Sequence, residues 1–293
     1  MLLALKIKAV AAAVVVAAPF ATSTVVPGGR GQPAAAGISL PELVELAPGT
    51  FRHRAAGDYT RNGAPAAAPM VEVRIAQPLR VMQRQVSGGD YRRCVDAGAC
   101  RAIDDDAADR PAVQVSWHDA AAYANWLSRE TGMRFRLPSD EEWAYAAAER
   151  FSDDASAQSE RPSDPGSRAL ARYASETSRS GGLDGAPRPF GAFGANAHGL
   201  LDMAGNVWEW TSSCFRRSAL DAGGRPSGAT TVNCGVRVVE GAHRTYVTDF
   251  IRDARAGGCA AGTPPSNLGF RLVSDDEAST LAWRMRRLVG LRG

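Results

Sequence analysis

The chain has 293 residues, 45% hydrophobic and 22% charged, an ordinary globular composition long enough for one large domain or two small ones. Its formal net charge is +3, and both lysines, Lys6 and Lys8, sit near the N-terminus, so the remainder is almost neutral. A nucleic-acid partner is not expected, because it would need a concentrated basic face.

The first 23 residues, "MLLALKIKAVAAAVVVAAPFATS", have a short cationic start, an apolar run over Ala9–Ala18 and small residues after it. The run is shorter than the roughly 20 residues of a membrane-spanning helix, so it predicts an export signal cleaved after Ala21 or later. No transmembrane segment is expected after that cleavage, and the mature protein is expected to be periplasmic or secreted. Residues 24–50 read as a flexible lead, and Phe51 as the start of the globular part.

Asn62-Gly63 is a hairpin signal. Val71, Val73 and Ile75 alternate with Glu72 and Arg74, predicting a half-buried strand, and "LRVMQRQV" predicts another. Ser87 opens a short helix with Asp90 three residues on, and Gly98 stops it. Ser116 caps a second helix, with Asp119 in its first turn, an apolar stripe of Tyr123, Trp126 and Leu127, and Gly132 at its end. Ser139 and Glu142 form a capping box for a third, in which Trp143, Ala146 and Ala147 share a face. Residues 151 to about 190 read as an irregular surface excursion. In "HGLLDMAGNVWEWT", Trp208 and Trp210 lie on one face of a strand and Glu209 on the other. Turns and short strands are expected beyond Thr211. The tail, 276–293, has the composition of a basic amphipathic helix. Strands and short helices mix without βαβ regularity, which predicts an α+β fold with much irregular backbone.

Five cysteines are present, and export predicts that most are paired. Cys94 and Cys100 flank a short loop and form the easiest disulfide. Cys214, Cys234 and Cys259 leave one thiol over, and the spacing does not assign it.

Four segments in order, "VQVSWHDAAAYANWL" with "RLPSDEEWAYAA", then "NAHGLLDMAGNVWEWTS", then "SNLGFRLV", resemble the formylglycine-generating enzyme (sulfatase-modifying factor) family over roughly Phe51–Val273. The resemblance implies one domain over 51–275 with a C-type-lectin-like variant fold. Its founding members oxidise a sulfatase cysteine to formylglycine, using oxygen and a copper ion held by two cysteines. Other relatives perform non-haem iron sulfur–carbon bond formation or peptide-chromophore maturation.

Carried over from the family, Asp202 and Glu209 would offer carboxylates, and Gly205 and Val207 backbone carbonyls, to a structural calcium ion. Such a donor mixture suits that ion. The copper segment departs from the family. In "VVEGAHRTYVTDFIRDARAGGCAAGTPPSNLGFR" the two cysteine positions fall among His243, Tyr246, Thr248 and Ile251, and Cys259 stands alone. Copper(I) needs soft sulfur ligands, so copper is not expected. Of the four histidines, His53, His118, His198 and His243, no two form an i,i+4 pair. His243, Tyr246 and Arg252 are candidates to line the family's peptide groove, with Cys259 the remaining candidate for chemistry. The expected function is an exported family member that binds or modifies a peptide, protein or small exported ligand without the two-cysteine copper oxidation. The alternatives are a formylglycine-generating oxidase built on Cys259, and a non-catalytic lectin-like binding module.

Overall fold

The computed structural model describes residues 40–104, 107–152, 186–253 and 267–275, all within one compact unit, Ile38–Gly293. The segment read as an export signal, residues 153–185, Cys259 and the basic tail lie outside the described residues.

Local sequence signals place the helices. Ser87 accepts the Asp90 amide to cap α1, Gly88–Asp96. Ser116 and Asp119 close a capping box on α2, Trp117–Thr131, which ends on Gly132 at φ 69°. Ser139 and Glu142 do the same for α3, Asp140–Ala147. Each box satisfies amides that a helix start otherwise leaves without partners.

Three sheets surround them. Strand β1, Leu43–Leu46, pairs antiparallel with β6, Leu79–Met82. It precedes Phe51, so the lead expected to reach residue 50 already contains a strand. β6 continues to β12, Val273–Ser274, and then to β7, Phe135–Arg136. A two-stranded sheet joins β2, Gly49–Arg54, to β5, Met70–Ile75, where exposure alternates as the sequence predicts. In the third sheet, β3, Asp58–Arg61, turns through Asn62 and Gly63, both at positive φ, into β4, Ala64–Ala66. The same sheet holds β8, Trp208–Leu220, β9, Pro226–Glu240, and β10, Thr245–Thr248, with β11, Leu268–Gly269, parallel to the start of β8. Beyond Thr211 the chain does hold the short strands β10, β11 and β12, but a feature the sequence did not announce comes before them. It is a long hairpin of β8 and β9, and the outer part of β9 is exposed on both faces and so carries no period-2 signal.

Two large apolar clusters and a small third one of Tyr59, Ala68 and Leu220 fill the interior. Tyr91, Tyr123, Trp126, Trp208, Trp210 and Phe270 belong to the first. Trp143, Leu200, Met203, Val81 and Val273 belong to the second. Buried Trp143 and Trp210 alone remove enough apolar area from water to contribute several kcal/mol. The loop before β8 is irregular, with Asp202, Ala204 and Asn206 all at positive φ. It is held by side chains that imitate backbone: Asn206 exchanges two hydrogen bonds with the main chain of Arg188.

No helix among the described residues is long and apolar enough to cross a membrane.

Candidate functional site

Glu209 lies on the face of β8 opposite the two indoles, as alternation predicts, yet it is buried at 1% exposure. Arg271 grips it bidentately, Nε to Oε2 at 2.7 Å and Nη2 to Oε1 at 2.8 Å. The Gln85 amide donates to Oε1 at 2.7 Å and the Trp143 indole to Oε2 at 2.8 Å. Each carboxylate oxygen thus accepts two N–H groups. Asp202 receives the amides of Gly191 and Phe193 at 2.7 and 2.8 Å, one on each oxygen.

The two carboxylates of the proposed calcium set are therefore engaged by N–H donors. A divalent ion at Glu209 would displace a guanidinium already neutralising the same charge, and as they stand these two carboxylates do not fit calcium. Gly205 has a packing reason: a Cβ there would lie 2.7 Å from the Phe193 ring. Val207 is buried beside Gly269, whose Cβ would lie 3.1 Å from the Val207 Cγ2.

The segment matching the family's copper site is the turn from β9 to β10. His243 is buried, its ring edge-on to Trp208 at 5.6 Å. Its Nδ1 lies 3.0 Å from the Arg244 carbonyl. The Tyr246 hydroxyl accepts the Gly57 amide at 2.7 Å, and its ring packs against Phe215. Arg252 forms a bidentate pair with Asp119, at 2.8 Å for both bonds, and donates to the Ala102 carbonyl. Burial raises the Asp119 carboxyl, but the bonds from Arg252 and Ser116 outweigh it and hold the group below its ordinary range. These three candidates point to three different neighbours and are not brought together.

What the fold does assemble there is a different set. The Arg237 guanidinium stacks on Trp117 at 3.8 Å, a cation–π arrangement, and donates to the Ser212 carbonyl. Trp117 donates its amide to the Asp249 carbonyl, and Asp249 pairs with His118 at 3.2 Å. Phe250, adjacent, is 67% exposed. Spacing does not reveal this group, because Arg237 comes from β9, Trp117 and His118 from α2, and Asp249 and Phe250 from beyond β10. The one sequence signal was Trp117-His118 directly after a cap, where a helix's first turn faces outward.

Cys94 pairs with Cys100 as expected, and Cys214 with Cys234. Every described cysteine is thus in a disulfide, and a disulfide sulfur is a poor copper(I) ligand. With Tyr246 and Ile251 in the copper segment, the described residues do not fit a thiolate-bound copper ion. Sequence reasoning also missed a buried quartet, His53, Asp140, Glu240 and Arg244, each no more than 4% exposed. Its visible signal was an unbroken "VVEG", a carboxylate closing an apolar run.

Comparison with known proteins agrees with this architecture. The chain is 31% identical over 187 residues to the formylglycine-generating enzyme of Streptomyces coelicolor, covering 59% of this chain and 55% of that protein. It is 33% identical over 172 residues to the inactive C-alpha-formylglycine-generating enzyme 2 of Mus musculus, covering 56% and 49%. The matches therefore span about half the length of these relatives. The solved structure of PvdO from Pseudomonas aeruginosa shares the fold, with a TM-score of 0.50 and 24% identity over 80% of this chain and 94% of that one. The model of the sulfatase-modifying factor enzyme 1-like domain matches residues 30–276, and the chain belongs to that family.

Proposed function

We propose that this protein is an exported family member that binds or modifies a peptide or other exported ligand, and that it does not run the two-cysteine copper oxidation. The observation that carries this is the thiol inventory. Five cysteines minus two disulfides leave Cys259 alone, and one thiolate cannot form the family's copper pair. The same disulfides, with the Lys-flanked apolar run at the N-terminus, support an oxidising compartment outside the cytoplasm.

The ligand surface proposed is the one formed by Trp117, His118, Arg237, Asp249 and Phe250. An aromatic–guanidinium stack, a His–carboxylate pair and an exposed phenyl ring suit an extended peptide, whose backbone and side chains need both apolar contact and polar partners. Similarity to the Streptomyces enzyme favours the oxidase as a second reading, and one assay separates the two. A sulfatase-type peptide containing cysteine is incubated with the protein, copper and oxygen, and examined by mass spectrometry. No conversion of cysteine to formylglycine is expected. Conversion above a no-protein control would establish the oxidase instead.

A further inference from the structure

The quartet missed from the sequence ties together four segments: His53 of β2, Asp140 at the start of α3, Glu240 at the end of β9, and Arg244 in the turn to β10. Arg244 has one Nε–H, which it gives to Glu240 Oε1 at 2.7 Å. Asp140 Oδ1 lies 3.2 Å from the same nitrogen without a hydrogen bond of its own. Arg244 Nη1 donates to the Arg54 carbonyl at 2.8 Å. His53 Nε2 is 2.8 Å from Asp140 Oδ2, and its Nδ1 is buried with no partner. Arg244 Nη2 lies 2.9 Å from the same Nε2; the Nε2–H tautomer donates to Asp140 and the Nδ1–H tautomer accepts from Arg244, and a neutral His53 in either form adds no charge to the quartet.

Two buried oxygens of the quartet then remain without hydrogen-bond partners among the described residues, Asp140 Oδ1 and Glu240 Oε2. Buried polar atoms in native proteins are nearly always paired. Both belong to carboxyl groups that lie against one guanidinium nitrogen, Arg244 Nε, at 3.2 and 2.7 Å, which brings the two groups side by side. Two ionised carboxylates against one guanidinium would also leave an uncompensated buried charge, which is costly. A single proton removes both faults. We propose that Glu240 carries this proton on Oε2 and donates it to Asp140 Oδ1, so that one shared proton locks β2, α3 and the β9–β10 turn together and alkali releases the lock. The released proton goes to hydroxide, and both carboxylates are left facing Arg244.

The other titratable groups facing the quartet are Tyr59 of β3 and Tyr246 of β10, with Glu141 and Arg216 beyond them. The tyrosines carry no charge near neutrality, so they do not supply the missing balance. Directions agree. Burial, and then Asp140 acting against the pull of Arg244, push Glu240 well above the usual carboxyl range. Asp140 is held low, because Arg244 and the bonds from Glu240 and His53 outweigh burial. For a group raised in the folded state, stability is fully present below the unfolded pKa and is lost as pH rises towards the folded one. The folding equilibrium should thus weaken by about tenfold per pH unit within the window above the ordinary carboxyl range.

Glu240→Gln tests this, because an amide keeps both the acceptor for Arg244 and a donor for Asp140 but has no proton to lose. Denaturant unfolding from pH 5 to pH 9 should show the decline in wild type and its absence in Glu240→Gln. The infrared spectrum of the unaltered protein at pH 7 should contain a protonated-carboxyl carbonyl band that Glu240→Gln lacks. If the variant fails to fold, the wild-type band alone decides. Absence of that band, or an unchanged alkaline decline in Glu240→Gln, overturns the proposal.

Discussion

Replacing Arg271 by methionine removes the guanidinium that holds Glu209 and keeps the apolar length of the side chain. In the native protein Arg271 is 0% exposed and Glu209 1%. Two of the four N–H groups on the carboxylate would vanish, and so would the donor to the Leu201 carbonyl at 3.0 Å. Gln85 and Trp143 remain, but a buried carboxylate without its counter-charge costs about 3–5 kcal/mol. For a domain of this size each kcal/mol moves the melting temperature by roughly 2–4 °C, so Arg271→Met should melt about 6–20 °C lower. Two controls test the cause. Glu209→Gln with Arg271→Met should recover much of the loss, because no charge is left buried. The deficit of the single variant should also shrink as pH falls from 7 towards 4. Acid removes the charge from a buried carboxylate that has lost its counter-charge, and with it the penalty. Urea titrations of the native protein, the two single variants Arg271→Met and Glu209→Gln, and the double variant read both. A loss below about 1 kcal/mol, or one that neither Glu209→Gln nor acid relieves, would refute the reasoning.

Because the carboxylates of Asp202 and Glu209 are taken up by N–H donors, a calcium chelator should leave the melting temperature unchanged; a fall of several degrees would show that an ion replaces those donors. Gly241→Ala should destabilise by about 1–3 kcal/mol, because its Cβ would lie 2.6 Å from the Trp208 ring; calorimetry finding no change would mean the turn moves freely. Asp119→Asn removes the charged acceptor of Arg252 and should cost about 1.5–3 kcal/mol at pH 7. The folded carboxyl is held low, so its contribution is present above the ordinary aspartate pKa and lost as pH falls below about 4. Unfolding at pH 7 and pH 3 should therefore show a deficit at the first that narrows at the second, and an equal deficit at both would count against the pair.

What the sequence determined was the local structure. Caps at Ser87, Ser116 and Ser139, the stop at Gly132, the Asn62-Gly63 hairpin and the alternation of β5 all arise between residues a few positions apart. The backbone groups that need partners find them close by, and the residue types announce it. The Cys94–Cys100 pair was legible for the same reason. The outer part of β9 was not, because a strand exposed on both faces has no apolar alternation to read. The sites depended on contacts across the chain. Alternation put Glu209 opposite the indoles, but only the tertiary structure decided what it meets: Arg271, 62 residues away, and Trp143, 66 residues away. His243, Tyr246 and Arg252 lie close in sequence, yet packing sends them to Trp208, Phe215 and Asp119. A buried charge is stable only where folding delivers its counter-charge, and that pairing follows from three-dimensional distance and low dielectric, which spacing along the chain does not encode.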